Sequence, residues 1–189
     1  LLKGQCHEAL LEYKLSRYYY KRALHSSPNI AEAYFRIGET YKSEDNWEQA
    51  YKFYMKAAEL DKQDYDYQIV AAEAAQITKE VEKAIEITEN AIDLSVSRFE
   101  AYILMAQIFL HAGDADTALE IIEKGIQFCK SNDELKFAKI AIIFYMGQKQ
   151  EAILQLMIMM SEAPGKEIFM LYMYPEMEND AEVAMILGG

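Results

Sequence analysis

Residues 34–58 read YFRIGETYKSEDNWEQAYKFYMKAA, and their apolar spacing decides the fold. Tyr34, Ile37, Gly38 and Tyr41 fall at i, i+3, i+4 and i+7, the repeat of one helix face. Trp47, Ala50, Tyr51, Tyr54, Ala57 and Ala58 resume that spacing after a polar break. The break, Ser43-Glu44-Asp45-Asn46, consists of side chains that hydrogen-bond nearby backbone and cap a following helix. The stretch therefore predicts two antiparallel helices.

Working outward, Ala50 recurs as Ala84, Ala118 and Ala152, each 34 residues after the one before. A helical hairpin of that length cannot bury its apolar face alone and stacks on copies of itself. The full units span 31–64, 65–98 and 99–132, followed by a divergent unit 133–165 and a C-terminal cap 166–189, all in one continuous domain. Unit 65–98 keeps Ala72, Ala84 and Ala91, with Gln68 where the aromatic stood and Thr88 in place of Tyr54. Unit 99–132 restores Tyr102, Ala106, Phe109 and Ala118, turns through His111-Ala112-Gly113-Asp114, and carries Gly125 at the later small position. In 133–165, Gly147, Ala152 and Pro164 stay in register, but the first helix fits better shifted by one, with Phe137, Ile140, Ala141 and Phe144 inward and a turn one residue shorter. Lys166 to Tyr174 reads as one more helix broken by Pro175, and Asn179-Asp180 caps a short helix to Leu187.

Residues 1–30 form a partial unit. Gly4 to Leu10 mirrors Gly147 to Ile153, so Gly4 reads as the turn before a second helix. Ala9, Ser16 and Ala23, with Tyr13 and Tyr20, repeat at seven and predict one long helix from about Cys6 to Ser26. The rival register sets Gly4 thirty-four residues before Gly38 and breaks the chain near Leu11, where no Gly, Pro or Asn supports a break.

The order aromatic, Ile-Gly, Tyr, Trp-x-x-Ala, later Tyr, then Ala57 ahead of Glu-Leu-Asp resembles a tetratricopeptide repeat. The resemblance implies an all-α fold, a right-handed α-α superhelix of antiparallel helix pairs with a C-terminal capping helix. Gly38 and Ala50 then sit where paired helices cross, and Ala57 where the second helix meets the next unit. It also implies a non-catalytic scaffold whose first helices line a concave groove for a peptide or helix of another protein. Mapped onto this chain, the groove takes Phe35, Arg36, Glu39 and Lys42 from the first full unit; Ile69, Val70 and Glu73 from the second; and Ile103, Leu104, Gln107 and His111 from the third. Some relatives grip a terminal carboxylate with a Lys, Asn and Arg clamp; here Arg36 and Lys42 are flanked by Glu32 and Glu39, and the matching asparagines are absent. An apolar partner carrying basic residues fits better. On this reading, Ile69→Asp and Ile103→Asp abolish partner capture and leave melting little changed. Two rival functions stand beside it: a regulatory segment of a longer protein with an N-terminal effector domain, and a self-assembling array.

Composition narrows the remaining classes. Of 19 basic and 31 acidic side chains, residues 1–30 hold five and two, leaving 14 against 29 beyond them. Such a field repels phosphate backbones and anionic lipid, so neither nucleic acid nor membrane is expected as a partner. The longest apolar run, Ile140 to Met146, is too short to cross a bilayer. His7, His25 and His111 share no ligand spacing with each other or with cysteine, and adjacent Cys6 and His7 point apart on a helix; no metal, cofactor or catalytic site is expected. Cys6 and Cys129 read as free thiols suited to a reducing, cytoplasmic compartment. No initiator Met precedes Leu1, so the reading expects a piece of a longer protein. Seven of the ten methionines lie between Met157 and Met185, a yielding surface that fills gaps under the cap or supports a homo-oligomer through this end.

Overall fold

The computed structural model describes residues 1–130 and 132–188; Ser131, in the unit 99–132, and Gly189, in the cap, lie outside the described residues. Among the described residues the chain is all-helical and groups into two compact units, 1–94 and 95 onward. The N-terminal unit holds α1 (Leu2–Ala9), α2 (Tyr13–Ser26), α3 (Ala31–Lys42), α4 (Trp47–Leu60), α5 (Tyr65–Ile77) and α6 (Val81–Leu94), each packed on the next in sequence order. The C-terminal unit holds α7 (Phe99–His111), α8 (Ala115–Phe128), α9 (Asp133–Tyr145) and α10 (Lys149–Glu162) in the same order. There α11 (Ile168–Met173) packs on α9, a 3-10 helix covers Pro175–Asn179, and α12 (Ala181–Leu187) lies against α10.

One turn closes every pair. Leu11, Asp45, Lys79, Gly113 and Gly147, spaced by 34, all adopt positive φ (59°, 56°, 67°, 82° and 83°). The next amide in each reaches back to the carbonyl five residues earlier: Glu12 to His7, Asn46 to Tyr41, Glu80 to Ala75, Asp114 to Phe109 and Gln148 to Ile143. This is the left-handed closure that satisfies the last carbonyls of a helix. After the turn, Asn46 and Asp114 cap the second helix by accepting from the amides of Gln49 and Thr117, both at 3.1 Å. The Thr117 side chain first, and then its amide, also hold the exposed Asp114 carboxyl below its usual range by hydrogen bonding.

Two sequence expectations are corrected by this register. The long helix from Cys6 to Ser26 is two helices, broken at Leu11 by the same turn as the others. The rival register is the one the chain adopts, because Ser16 takes the place that Ala50, Ala84, Ala118 and Ala152 hold: all five are fully buried. Ser16 is tolerated there because its hydroxyl donates to the Gly4 carbonyl at 2.9 Å. The shift by one in the first helix of 133–165 is also absent: α9 and α10 begin 34 residues after α7 and α8. Phe137, Ile140 and Ala141 are buried as expected, but Phe144 is only half-buried, and Ala138, Ile142 and Ile143 are buried as well. With α8, α10 and α11 all packed around α9, no single stripe fixes its register.

Close crossings follow from small residues. A Cβ on Gly4 would stand 2.5 Å from Tyr20 Cε1, and one on Gly38 2.5 Å from Tyr54 Cε1. Tyr20, Tyr54, Ala57 and Ala72 are all fully buried in the N-terminal unit.

Candidate functional site: the first-helix faces

In the N-terminal unit the tyrosine rings run under the small residues and bring their hydroxyls out among carboxylates. Tyr20 donates to Glu8 at 2.5 Å, and Tyr54 donates to Glu39. Burial first, then these carboxylates, push both phenols well above their ordinary pKa. In unit 65–98 Thr88 stands where Tyr54 stood and turns its hydroxyl to the Ala84 carbonyl. Glu73, equivalent to Glu39 by the 34-residue spacing, takes Lys42 of α3 as its partner at 2.9 Å instead.

Arg36 lies 3.7 Å from Glu8 and 3.6 Å from Glu32. Its Nε is buried and makes no hydrogen bond of its own. Phe35 packs against Tyr54 and Tyr67, with ring centroids 6.0 and 5.2 Å apart, and keeps part of its surface in solvent. Ile69 and Val70 are likewise half-buried, and Ile77 at the end of α5 is exposed. The structure thus gathers Phe35, Arg36, Glu39, Lys42, Ile69, Val70 and Glu73 on α3 and α5: a partly open apolar strip beside carboxylates whose two cations are already paired.

Sequence reasoning missed two members of this face. Gln5 of α1 donates to Glu32 at 3.2 Å, and Glu8 joins Arg36. The 34-residue offset of Gln5 from Glu39 was the available signal, hidden by the long-helix reading.

The C-terminal unit differs. Ile103 and Leu104 are each only 4% exposed and Gln107 8%, so the expectation that they face an open groove is corrected. The chain covers this face itself: Gln107 Nε2 donates to the Tyr172 carbonyl at 2.8 Å, and Phe99 meets Phe169 edge-on at 5.7 Å. Met170 and Met173 of α11, which packs on α9, are buried. His111, at the end of α7, is exposed.

Residues 31–64 match the family described as Tetratricopeptide repeat. Solved structures share the fold across the chain: that of MamA protein superposes with a TM-score of 0.71 at 19% identity, covering 95% of this chain and 92% of that one. The chain has the tetratricopeptide repeat fold, and residues 31–64 match the repeat itself. A second tetratricopeptide structure, YrrB, described as having an unusual peptide-binding site, matches with a TM-score of 0.58 and 18% identity over 89% of each chain. Among curated relatives, the BBSome complex member BBS4 of Bos taurus is 26% identical over 80% of this chain. Protein O-mannosyl-transferase TMTC1 of Homo sapiens is 25% identical over 66%. The chain spans only 28% and 14% of the lengths of those two relatives. Among the described residues, no helix is long and apolar enough to cross a membrane.

Proposed function

We propose that the first-helix face of the N-terminal unit binds an apolar segment of another protein bearing Lys or Arg, in a scaffold role without catalysis. One observation carries this reading: Phe35, Ile69 and Val70 keep solvent-facing surface among Glu32, Glu39 and Glu73, while Ile103 and Leu104, which match Ile69 and Val70 in the C-terminal unit, are buried. Tetratricopeptide repeats commonly serve in protein-protein interaction, and YrrB is described with a peptide-binding site. Apolar side chains would settle on the strip while basic ones meet the carboxylates, a pairing that raises encounter rate and fixes orientation. Free Cys6 and Cys129 accord with a reducing, cytoplasmic compartment.

The test is selection of random 16-residue displayed peptides on the whole chain, then fluorescence anisotropy with synthetic copies. Selected peptides should combine apolar and basic residues, weaken with salt, and bind Ile69→Asp or Val70→Asp at least ten-fold less tightly while those variants melt near wild type. Equal binding by the Asp variants overturns the reading.

A further inference from the structure

A second surface lies on the outside of α10. By the 34-residue register, Leu154, Met157 and Ile158 occupy the places held by Glu86, Glu89 and Asn90 on α6, and by Glu120, Glu123 and Lys124 on α8. Those six are exposed and polar, the solvated stripe expected of a second helix. On α10 the same stripe stays in solvent but turns apolar: Leu154 is 61% exposed, Met157 56% and Ile158 48%. Met185 of neighbouring α12 adds a further side chain at 73%. Scattered apolar residues are ordinary on a surface, whereas a contiguous row at i, i+3, i+4 is the seam by which helices recognise each other.

The surroundings specify the occupant. Exposed Glu151 precedes Leu154 by one turn and exposed Glu162 follows Ile158 by one turn, so a carboxylate closes each end of the row. From Gln148 to Gly188 the chain has seven carboxylates and two lysines. Both lysines are engaged: Lys149 with Asp180 and Glu182 at 2.8 and 3.1 Å, and Lys166 with Glu134 at 2.9 Å. A second copy would bring the same carboxylates against these, and anionic lipid is repelled for the same reason. We infer that the outer face of α10 docks an amphipathic helix of another protein, with an apolar stripe flanked by Lys or Arg. Leu154, Met157 and Ile158 form the seam, and Glu151 and Glu162 set its ends. Unlike the groove of the N-terminal unit, this face needs nothing from α3 or α5.

The experiment uses the full chain carrying Ile69→Asp and Val70→Asp, so that groove binding is not what it reads. The probe is a synthetic 18-residue helix with a Leu stripe and Lys flanks; its control has Glu in place of Lys. Benzoylphenylalanine at position 158 should crosslink the Lys probe and not the Glu probe. In anisotropy, Leu154→Lys with Ile158→Lys should weaken the Lys probe at least ten-fold, with far-UV dichroism unchanged. Unaltered affinity in that variant overturns the inference. So does a dimer in sedimentation equilibrium that the variant dissolves, or co-sedimentation with phosphatidylcholine vesicles that the variant abolishes, since each names a different occupant.

Discussion

Gly38 and Tyr54 are a matched pair: the hydrogen at position 38 leaves room for a ring that a methyl group would meet at 2.5 Å. The neighbouring unit solves the same crossing with Ala72 and Thr88, both fully buried. Gly38→Ala alone should cost about 1–3 kcal/mol through overpacking, and Tyr54→Thr alone about 3–5 kcal/mol through the cavity it leaves. The double variant reproduces the neighbour's pairing, so its loss in urea unfolding should fall short of the sum by at least about 1 kcal/mol.

Alkaline pH should loosen the N-terminal unit. The Tyr20 and Tyr54 phenols are pushed above the ordinary 10.0 in the folded chain, chiefly by burial and then by Glu8 and Glu39. The unfolded chain releases those protons first, so the associated stability is complete below pH 10 and drains away as pH rises beyond it. Tyr54→Phe keeps the ring and removes one ionising group. Its melting temperature should start lower, because Glu39 loses a donor, and then decline less steeply above pH 10 than wild type. Parallel declines would refute the assignment.

Ile69 and Ile103 hold equivalent places in successive units and should respond very unequally to the same substitution. Ile69→Asp puts a charge on a face already partly wet and should shift stability by less than about 1 kcal/mol. Ile103→Asp buries an unpaired carboxylate at a site 4% exposed and should cost more than about 3 kcal/mol. Chemical denaturation of the two variants side by side checks this.

The turn series offers a stabilising substitution. A side chain at positive φ costs about 1–2 kcal/mol, against about 0.5–1 kcal/mol of extra chain entropy for glycine. Lys79→Gly, at φ 67°, should therefore gain about 0.5–1 kcal/mol. Gly147→Ala, at φ 83° with nothing within 4 Å of the added methyl, should lose about 1 kcal/mol from backbone strain alone.

The hairpins 31–64, 65–98 and 99–132 were legible because small residues recur at crossings where nothing larger fits. The break at Leu11 was not, because leucine has no local preference for that backbone; packing of α1 and α2 through Gly4, Ser16 and Tyr20 imposes it. Glu39 and Glu73 could be placed on their face by periodicity, but their different partners, a tyrosine below and a lysine beside, depend on what stands at 54 and 88. The sealing of Gln107 was hidden for another reason. Residues 168–173 follow no repeat, and Gln107 meets a backbone carbonyl at Tyr172, which leaves no mark in side-chain pattern.

The five equivalent turns also bear on how the chain acquires its structure. Each closes a hairpin whose two arms lie within one period, so the earliest native contacts join residues that are never far apart along the backbone. Search is short for such a topology, because local contacts cost little loop-closure entropy. Nucleation has five alternative starting points, and slowing any one of them by substitution at its left-handed residue should leave the others free to lead.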